Sequence, residues 1–368
     1  METLIGSNSN LEFEIEEISA DFIHPSGQPV EQKIQIRTNP ITGRTCRIAF
    51  AREDEKEPGT EHLPSPPPDA DKTDNCPFCL PQVLSLTPEL PQKFFPSGHQ
   101  AENQVENQAG RMVYKESILF PNLFPYGSYS AVSIFDNRHF VEIGTATSLS
   151  YTNCLINCCN YLKKIISIDK KAVYMAITQN HLPSAGGSLL HPHLQINADK
   201  AASNHHRFLR DRANDYYTRK GTYLFADYLN NEIEDKTRYI GATGRWEWMA
   251  AFAPEGFFEI WGILPGKTSV FQIQDEDCRN LAQGIVNTQK YYRSICRNGY
   301  NLGILFVEDD KSHLEIKVSI MARSNYAAWV RNDHTGFEVM LGDMATFVRP
   351  EKTAEEARKF WKSEHVTT

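Results

Sequence analysis

Alternation and helical spacing of apolar positions divide the chain into elements before any chemistry is considered. IQIR around Ile36 and RIAFA around Ile48 are short alternating runs, separated by the turn-like NPITG at 39–43. Residues 53–75 are charged and proline-rich, which predicts an exposed excursion, and 96–110 read as a second loop. RMVYKESILF and SYSAVSIF, between 111 and 135, alternate as strands do. Residues 148–168 carry apolar groups at three- and four-residue steps, predicting an amphipathic helix. Strand-like KAVYMAIT (171–178), a loop with Gly186 and Gly187, and HPHLQI (191–196) follow.

The same order recurs. RWEWMAAFA and GFFEIWGIL predict a hairpin, with the tryptophans on a half-buried strand. DCRNLAQGIVNTQKYYRSIC predicts a helix, NLGILFV a strand and HLEIKVSI a last strand. The chain therefore reads as two copies of one sheet-plus-helix unit, at roughly 112–198 and 245–321, with a helical stretch over 203–232 between them. His205 and His206 fall on the surface of that helix. Thr353 and Glu356 have the spelling of a capping box opening a helix over AEEARKFW.

Composition narrows the classes. A length of 368 residues corresponds to two domains at about 150 residues each, and the expected division is 1–200 and 201–368. The balance of 38 basic and 46 acidic residues, net −8, argues against nonspecific binding to a nucleic-acid backbone. No apolar run approaches the roughly 18 residues of a membrane span, so no membrane partner is expected. The stretch METLIGSNSNLEFEIEE is acidic and lacks the basic and apolar regions of a secretory signal, so a cytoplasmic protein is expected. Eight cysteines are too dilute for a disulfide scaffold. Cys46, Cys154, Cys158, Cys159, Cys278 and Cys296 sit among apolar neighbours as buried thiols, whereas Cys76 and Cys79 form a CPFC knuckle.

The chemistry centres on HPHLQ. On an extended strand His191, His193 and Gln195 share one face. The preceding loop supplies glycines that let backbone N–H groups approach a phosphate. From spacing alone, a polar site and a solvated strand edge are equally consistent.

The run N-x7-S-x2-H-P-H-x-Q, read as Asn180, Ser188, His191, His193 and Gln195, resembles the active-site signature of galactose-1-phosphate uridylyltransferases, in the histidine-triad superfamily. NPITG followed by Arg52 resembles that family's N-terminal strand and phosphate-contacting arginine. Asn122 in FPNLFPYGS resembles its nucleoside pocket, and VRNDHTGFE (330–338) its sugar-binding segment, with Asn332, Phe337 and Glu338. The anchors span about residues 35–340. The resemblance implies an α+β fold of two histidine-triad-like units, each an antiparallel sheet with packed helices.

It also implies a reaction. His193 is the expected nucleophile on the α-phosphorus of a nucleotide sugar, giving a nucleotidyl-histidine that a second phosphorylated acceptor discharges. Gln195 and Ser188 would donate to the phosphoryl oxygens, and the backbone around His191 would orient the His193 ring. Asn122, Asn180, Gly186, Gly187 and Arg52 would hold nucleotide and phosphates. A CxxC pair needs two further ligands to close a tetrahedron. His191 is one candidate and the resemblance places His139 as the other, so Cys76, Cys79, His139 and His191 would form a structural Zn2+ site. A homodimer is implied as well.

Departures accompany these matches. His181-Leu182 stands where lysine and glycine are usual, Glu53-Asp54-Glu55 where a second arginine is expected, Phe337 for tyrosine and Asn332 for lysine. The family's second metal site has no convincing counterpart. In the second unit Glu315 of HLEIK takes the nucleophile's place, so His313 and Lys317 read as surface charges on a degenerate strand. The expected activity is uridylyltransferase-like nucleotidyl transfer to a sugar 1-phosphate. The alternatives are a nucleoside-diphosphate-sugar or dinucleoside-polyphosphate phosphorylase using inorganic phosphate, and a zinc-structured nucleotide-binding protein without turnover.

Overall fold

The computed structural model describes residues 11–49, 62–95, 105–327 and 332–362. It begins with a long hairpin of β1 (Glu14–Ile23) and β2 (Pro29–Thr38), joined by β3 (Thr45–Ala49) and, from the far end of the chain, by β15 (Met344–Thr346) in parallel. The CPFC knuckle leads into a single helical turn, α1 (Val83–Leu86).

The first repeat contains β4 (Glu106–Gln108), β5 (Arg111–Tyr114), β6 (Ser117–Pro121), β7 (Tyr129–Ile134), α2 (Ser148–Ile168), β8 (Tyr174–His181) and β9 (His193–Asp199). Helices α3 (Asn204–Lys220) and α4 (Leu224–Asp235) follow, separated at Gly221, whose φ of 73° a residue with a Cβ rarely adopts. The second repeat contains β10 (Tyr239–Thr243), β11 (Trp246–Ala250), β12 (Phe257–Leu264), α5 (Asp275–Ser294), β13 (Gly299–Val307) and β14 (Ile316–Arg323), before a closing α6 (Pro350–Ala357).

All strands from β4 to β14 form one 11-stranded sheet in the order β10-β11-β12-β14-β13-β8-β9-β7-β6-β5-β4. The segments β6-β7-β9-β8 and β11-β12-β14-β13 are the two repeats. They meet at the antiparallel pair β8·β13, where Leu302 lies opposite Gln179. The sheet therefore has the same internal order read from either side of this join. The fold is α+β, with two equivalent antiparallel units in one sheet.

Helices α2 and α5 lie on one face. Leu155, Leu162 and Ile165 of α2, and Leu281 and Ile285 of α5, are buried in the main core with Leu194 and Ile196 of β9. Trp246 and Trp248 are fully buried rather than half-buried, because α5 comes down on them: a Cβ on Gly284 would lie 1.9 Å from the Trp248 ring. On the opposite face of the second unit, Leu209, Phe225 and Trp261 form a second core beneath α3, α4 and the four-stranded sheet.

Two local expectations change. Helix α6 begins at Pro350, whose fixed φ suits a first helical position, so Thr353 lies buried inside the helix and does not cap it. His206 is buried and contacts the Met175 carbonyl at 2.8 Å, whereas His205 is exposed. Among the described residues no helix is long and apolar enough to cross a membrane.

The chain's two ends are locked together by charge. Arg37 of β2 donates to both oxygens of Glu351 in α6 at 2.8 and 3.0 Å, and Arg238 adds a bond at 3.1 Å. Burial alone would raise the Glu351 carboxyl, but the Arg37 bonds and charge, backed by Arg238, hold it at about 2 against an ordinary 4.5. A depressed acid stabilises the fold above its unfolded value and loses that contribution as pH falls through the folded one. Glu351→Gln is therefore expected to cost about 2 kcal/mol at pH 7. Denaturant titrations should show the gap narrowing below pH 4.5; a gap independent of pH contradicts the ion-pair assignment.

Candidate active site

The pleat of β9 presents His193, Gln195 and Asn197 on the face opposite α2, while Leu194, Ile196 and Ala198 are buried in the core below. Gln195 stands between Val132 of β7 and Thr178 of β8, and His193 lies opposite Ile134. His193 Nδ1 lies 2.8 Å from the His191 carbonyl oxygen. A carbonyl can only accept, so Nδ1 carries the proton and Nε2 presents a lone pair. Nε2 has no hydrogen-bond partner among the described residues. The backbone thus orients the ring in the way anticipated for it. Burial lowers the His193 pKa from its ordinary 6.5, opposed by the bond to His191, which keeps the ring in its neutral, nucleophilic form.

The loop between β8 and β9 is built tightly. Leu182 has a φ of 72°, a short turn covers Pro183–Ala185, and Gly186 follows at 86°. The Gly186 N–H donates to Pro183 O and the Gly187 N–H to Leu182 O, each at 3.0 Å. These two N–H groups are therefore committed to the loop itself rather than turned to a phosphate. A Cβ at Gly187 would lie 2.8 Å from Asn180 O, so this glycine is required by the close approach of the backbone. Ser188, just beyond, is exposed.

Cys76, Cys79, His139 and His191 converge with all four ligand atoms within 4.8 Å of one another. Cys79 Sγ lies 3.5 Å from both His139 Nδ1 and His191 Nδ1, and Cys76 Sγ 3.9 Å from His191 Nδ1. A tetrahedral zinc with Zn–S of about 2.3 Å and Zn–N of about 2.0 Å places S and N roughly 3.5 Å apart. The donor set fits. Each imidazole also has its second nitrogen on a backbone carbonyl, His191 Nε2 on Asp136 O at 2.8 Å and His139 Nε2 on Asp69 O at 3.2 Å. Such outer partners fix the tautomer that turns Nδ1 toward a metal. Phe78, inside the knuckle, meets His193 edge-on at 5.3 Å between ring centroids, coupling the cluster to the position of that ring.

Other anticipated positions are more dispersed. Asn122 follows β6, its N–H on Ser130 O and its Oδ1 accepting from Phe124 N, beside the exposed Leu123, Phe124 and Tyr126. Arg52 lies outside the described residues. Asn332 is exposed, and Phe337 stands 5.9 Å from the Arg47 guanidinium. Glu338 Oε2 accepts from Thr335 N and Oγ1. Among the described residues no hydrogen bond or ring contact joins Asn332, Phe337 or Glu338 to the HPHLQ strand.

A connection does run from that segment, through residues the sequence reading missed. Asp333 pairs with Arg323 through two bonds of 2.7 Å, Arg323 Nη1 donates to Asn301 Oδ1 at 2.6 Å, and Asn301 Nδ2 donates to Asn180 Oδ1 at 2.7 Å. Asn301 reaches Asn180 because β13 pairs β8 across the repeat join, a pairing no local pattern reveals. Asp333 is nearly enclosed, so Arg323→Leu would strand its charge. The expected loss is about 3 kcal/mol in denaturant unfolding, partly recovered by Arg323→Lys. Unchanged stability contradicts the relay.

Lys317 also departs from expectation. It is not a solvated surface charge: its Nζ lies 3.7 Å from the centroid of the Trp261 ring. Glu315 is buried and accepts from Gly266 N and Ala226 N, which makes it a structural anchor for the α4 start. His313 stacks on Tyr217 at 3.7 Å.

Compared with models of known families, the chain matches none. It is 27% identical over 352 residues to an uncharacterized protein of Archaeoglobus fulgidus, spanning 94% of this chain and 98% of that one. It is 25% identical over 207 residues to a galactose-1-phosphate uridylyltransferase of Haemophilus influenzae, covering 53% of this chain and 58% of that protein. Its fold is that of an ADP-glucose phosphorylase from Arabidopsis thaliana solved with ADP-glucose, at a TM-score of 0.66 and 20% identity, covering 89% and 99% of the two chains. The resemblance first carried by HPHLQ thus holds for the whole architecture.

Proposed function

We propose that this chain is a nucleotidylyltransferase of the galactose-1-phosphate uridylyltransferase type, acting through a nucleotidyl-histidine at His193. The observation that carries the reading is the His193 ring, held through Nδ1 by the His191 carbonyl, with Nε2 unpartnered among the described residues on the sheet face opposite α2. In the first step the Nε2 lone pair forms a bond to the α-phosphorus of a nucleotide sugar. The bond from that phosphorus to the bridging oxygen breaks, and sugar 1-phosphate leaves with the electron pair. In the second step an oxygen of the acceptor phosphate attacks the same phosphorus and Nε2 takes its electrons back. Gln195 and Ser188 would donate to the non-bridging oxygens, where charge spreads in the transition state. Asn180 and Asn122 bind further along the nucleotide, on this reading.

Cys76, Cys79, His139 and His191 would hold Zn2+, which supplies structural cross-linking and no chemistry in the transfer. A closed four-ligand site leaves no position for substrate. It would pin the knuckle, the end of β7 and the start of β9 together, and so fix His193. The exposed run of Val339, Met340 and Leu341 suits burial between subunits, in keeping with a homodimer.

Inorganic phosphate as the acceptor is the second reading. It is favoured by the geometry of the 332–338 segment, where Glu338 Oε2 is taken up by Thr335 and Phe337 by Arg47 rather than facing the His193 pocket. Incubating the protein with UDP-glucose or ADP-glucose and then adding either phosphate or a sugar 1-phosphate separates the two. Discharge by phosphate alone identifies a phosphorylase, discharge by sugar 1-phosphate a transferase. Failure to release any sugar 1-phosphate from a panel of nucleotide sugars contradicts both.

A further inference from the structure

The four-stranded sheet, α3 and α4 do not close fully onto the second unit. Between them and the sheet face lies a cavity of about 320 Å³, within the range of small-molecule sites. Its floor is the row Thr178, Gly303 and Ser319, which stand side by side on β8, β13 and β14. A Cβ built on Gly303 meets nothing within 4 Å, so the centre of this floor is open space. Gln195 is the next residue in the same row, beyond Thr178, and Asn180 lines the cavity as well, so the cavity adjoins the HPHLQ strand without including His193.

Lys317 lines this cavity, its ammonium held only against the Trp261 and Phe225 rings at 3.7 and 5.7 Å from their centroids. Glu259 and Glu255 act on Lys317 by charge alone, without a direct ion pair. Glu259 accepts from Trp261 Nε1 at 2.6 Å, from Ser319 Oγ at 2.5 Å and from Glu255 N at 2.7 Å. No carboxylate forms an ion pair with Lys317 among the described residues. Of the two other acids at the cavity, Glu255 is paired with Arg44 at 3.4 Å, and Glu315 accepts from Gly266 N and Ala226 N. Thr178 Oγ likewise has no hydrogen-bond partner among the described residues. The Lys317 ammonium is half-buried and only partly hydrated, so a ligand oxyanion that pairs with it is stabilised more than one at a fully exposed lysine. The groups left unsatisfied are donors, on otherwise largely apolar walls.

We propose that this cavity is a second small-molecule site, taking a compact metabolite that carries an oxyanion, with Lys317 as its counter-charge and the body of the ligand lying over Gly303. Phosphate ester and carboxylate present the same chemistry to an ammonium. The site adjoins the transfer site and shares Asn180 with it, but holds neither His193 nor Gln195, and its occupancy does not depend on the transfer chemistry.

Calorimetric titration with inorganic phosphate, glucose 6-phosphate and glucuronate tests it. Glucose 6-phosphate binding assigns a phosphate ester and glucuronate binding a carboxylate, while inorganic phosphate alone assigns a free-anion site. The probe that binds is then titrated into two variants. Binding is expected to weaken at least tenfold in Lys317→Met and in Gly303→Val, which fills the floor without a backbone penalty, while release of sugar 1-phosphate from nucleotide sugar at His193 stays at the wild-type rate in both. On the wild-type protein, which needs no variant to fold, the probe is expected to slow hydrogen exchange in β13 and β14. Binding of none of the three probes, binding untouched by both cavity substitutions, or exchange protection confined to the HPHLQ loop each overturns the proposal.

Discussion

Replacing His193 with alanine is expected to abolish transfer of the nucleotidyl group to the protein and to lower overall turnover by several orders of magnitude, with nucleotide binding within a few fold of wild type. The size follows from the role. Removing a hydrogen bond weakens a step, whereas removing the nucleophile removes the pathway, and water cannot substitute at a phosphorus flanked by anionic oxygens. His193 contributes little to ground-state affinity, because its ring is already supported by the His191 carbonyl and the edge of Phe78. Release of sugar 1-phosphate, followed alongside nucleotide binding by calorimetry, separates the two effects. A variant retaining a tenth of wild-type turnover would end the assignment.

The second large effect concerns the metal. Carefully purified protein is expected to contain about one zinc per chain, and Cys79→Ser to lose both the metal and much of the thermal stability. Cys79 is the hub of the cluster, 3.5 Å from each of the two histidine nitrogens, and a hydroxyl is a poor replacement for a thiolate. The ligands come from a knuckle, from the loop after β7 and from the edge of β9, so metal binding ties together segments far apart in the chain. Binding free energy of this kind is folding free energy. Elemental analysis with no transition metal refutes the cluster as a zinc site, and a Cys79→Ser protein as stable as wild type refutes its structural role.

What the sequence made legible was periodic or chemical. Helix α2 fills the span predicted from its three- and four-residue spacing, and the duplicated order of strands and helix reappears as two equivalent segments of one sheet. The four soft ligands gather as their residue types and the resemblance indicated. Less legible was anything decided by contacts between distant elements. Trp246 and Trp248 looked half-buried because alternation marks one apolar face and cannot show that α5 seals it. Strand β1, rich in glutamate, was not predicted, because an exposed hairpin needs no apolar face to pair. Segment 62–75 looked like a mere excursion, yet Asp69 O supports His139. Lys317 looked like a surface charge, since lysine on a strand usually is, and only the packing of Phe225 of α4 and of Trp261 beside it makes it half-buried. The relay from Asp333 to Asn180 depends on the pairing of β8 with β13, which follows from how two repeats associate and leaves no mark in either alone.

The most direct test of the central claim is peptide mass spectrometry on protein mixed with UDP-glucose or ADP-glucose and quenched before any acceptor is added. The account predicts a nucleoside monophosphate adduct that is lost in acid and stable in base, carried by the peptide containing His193 and absent from the His193→Ala protein. Substrate turnover with no adduct on that peptide, or with the adduct on another residue, contradicts it.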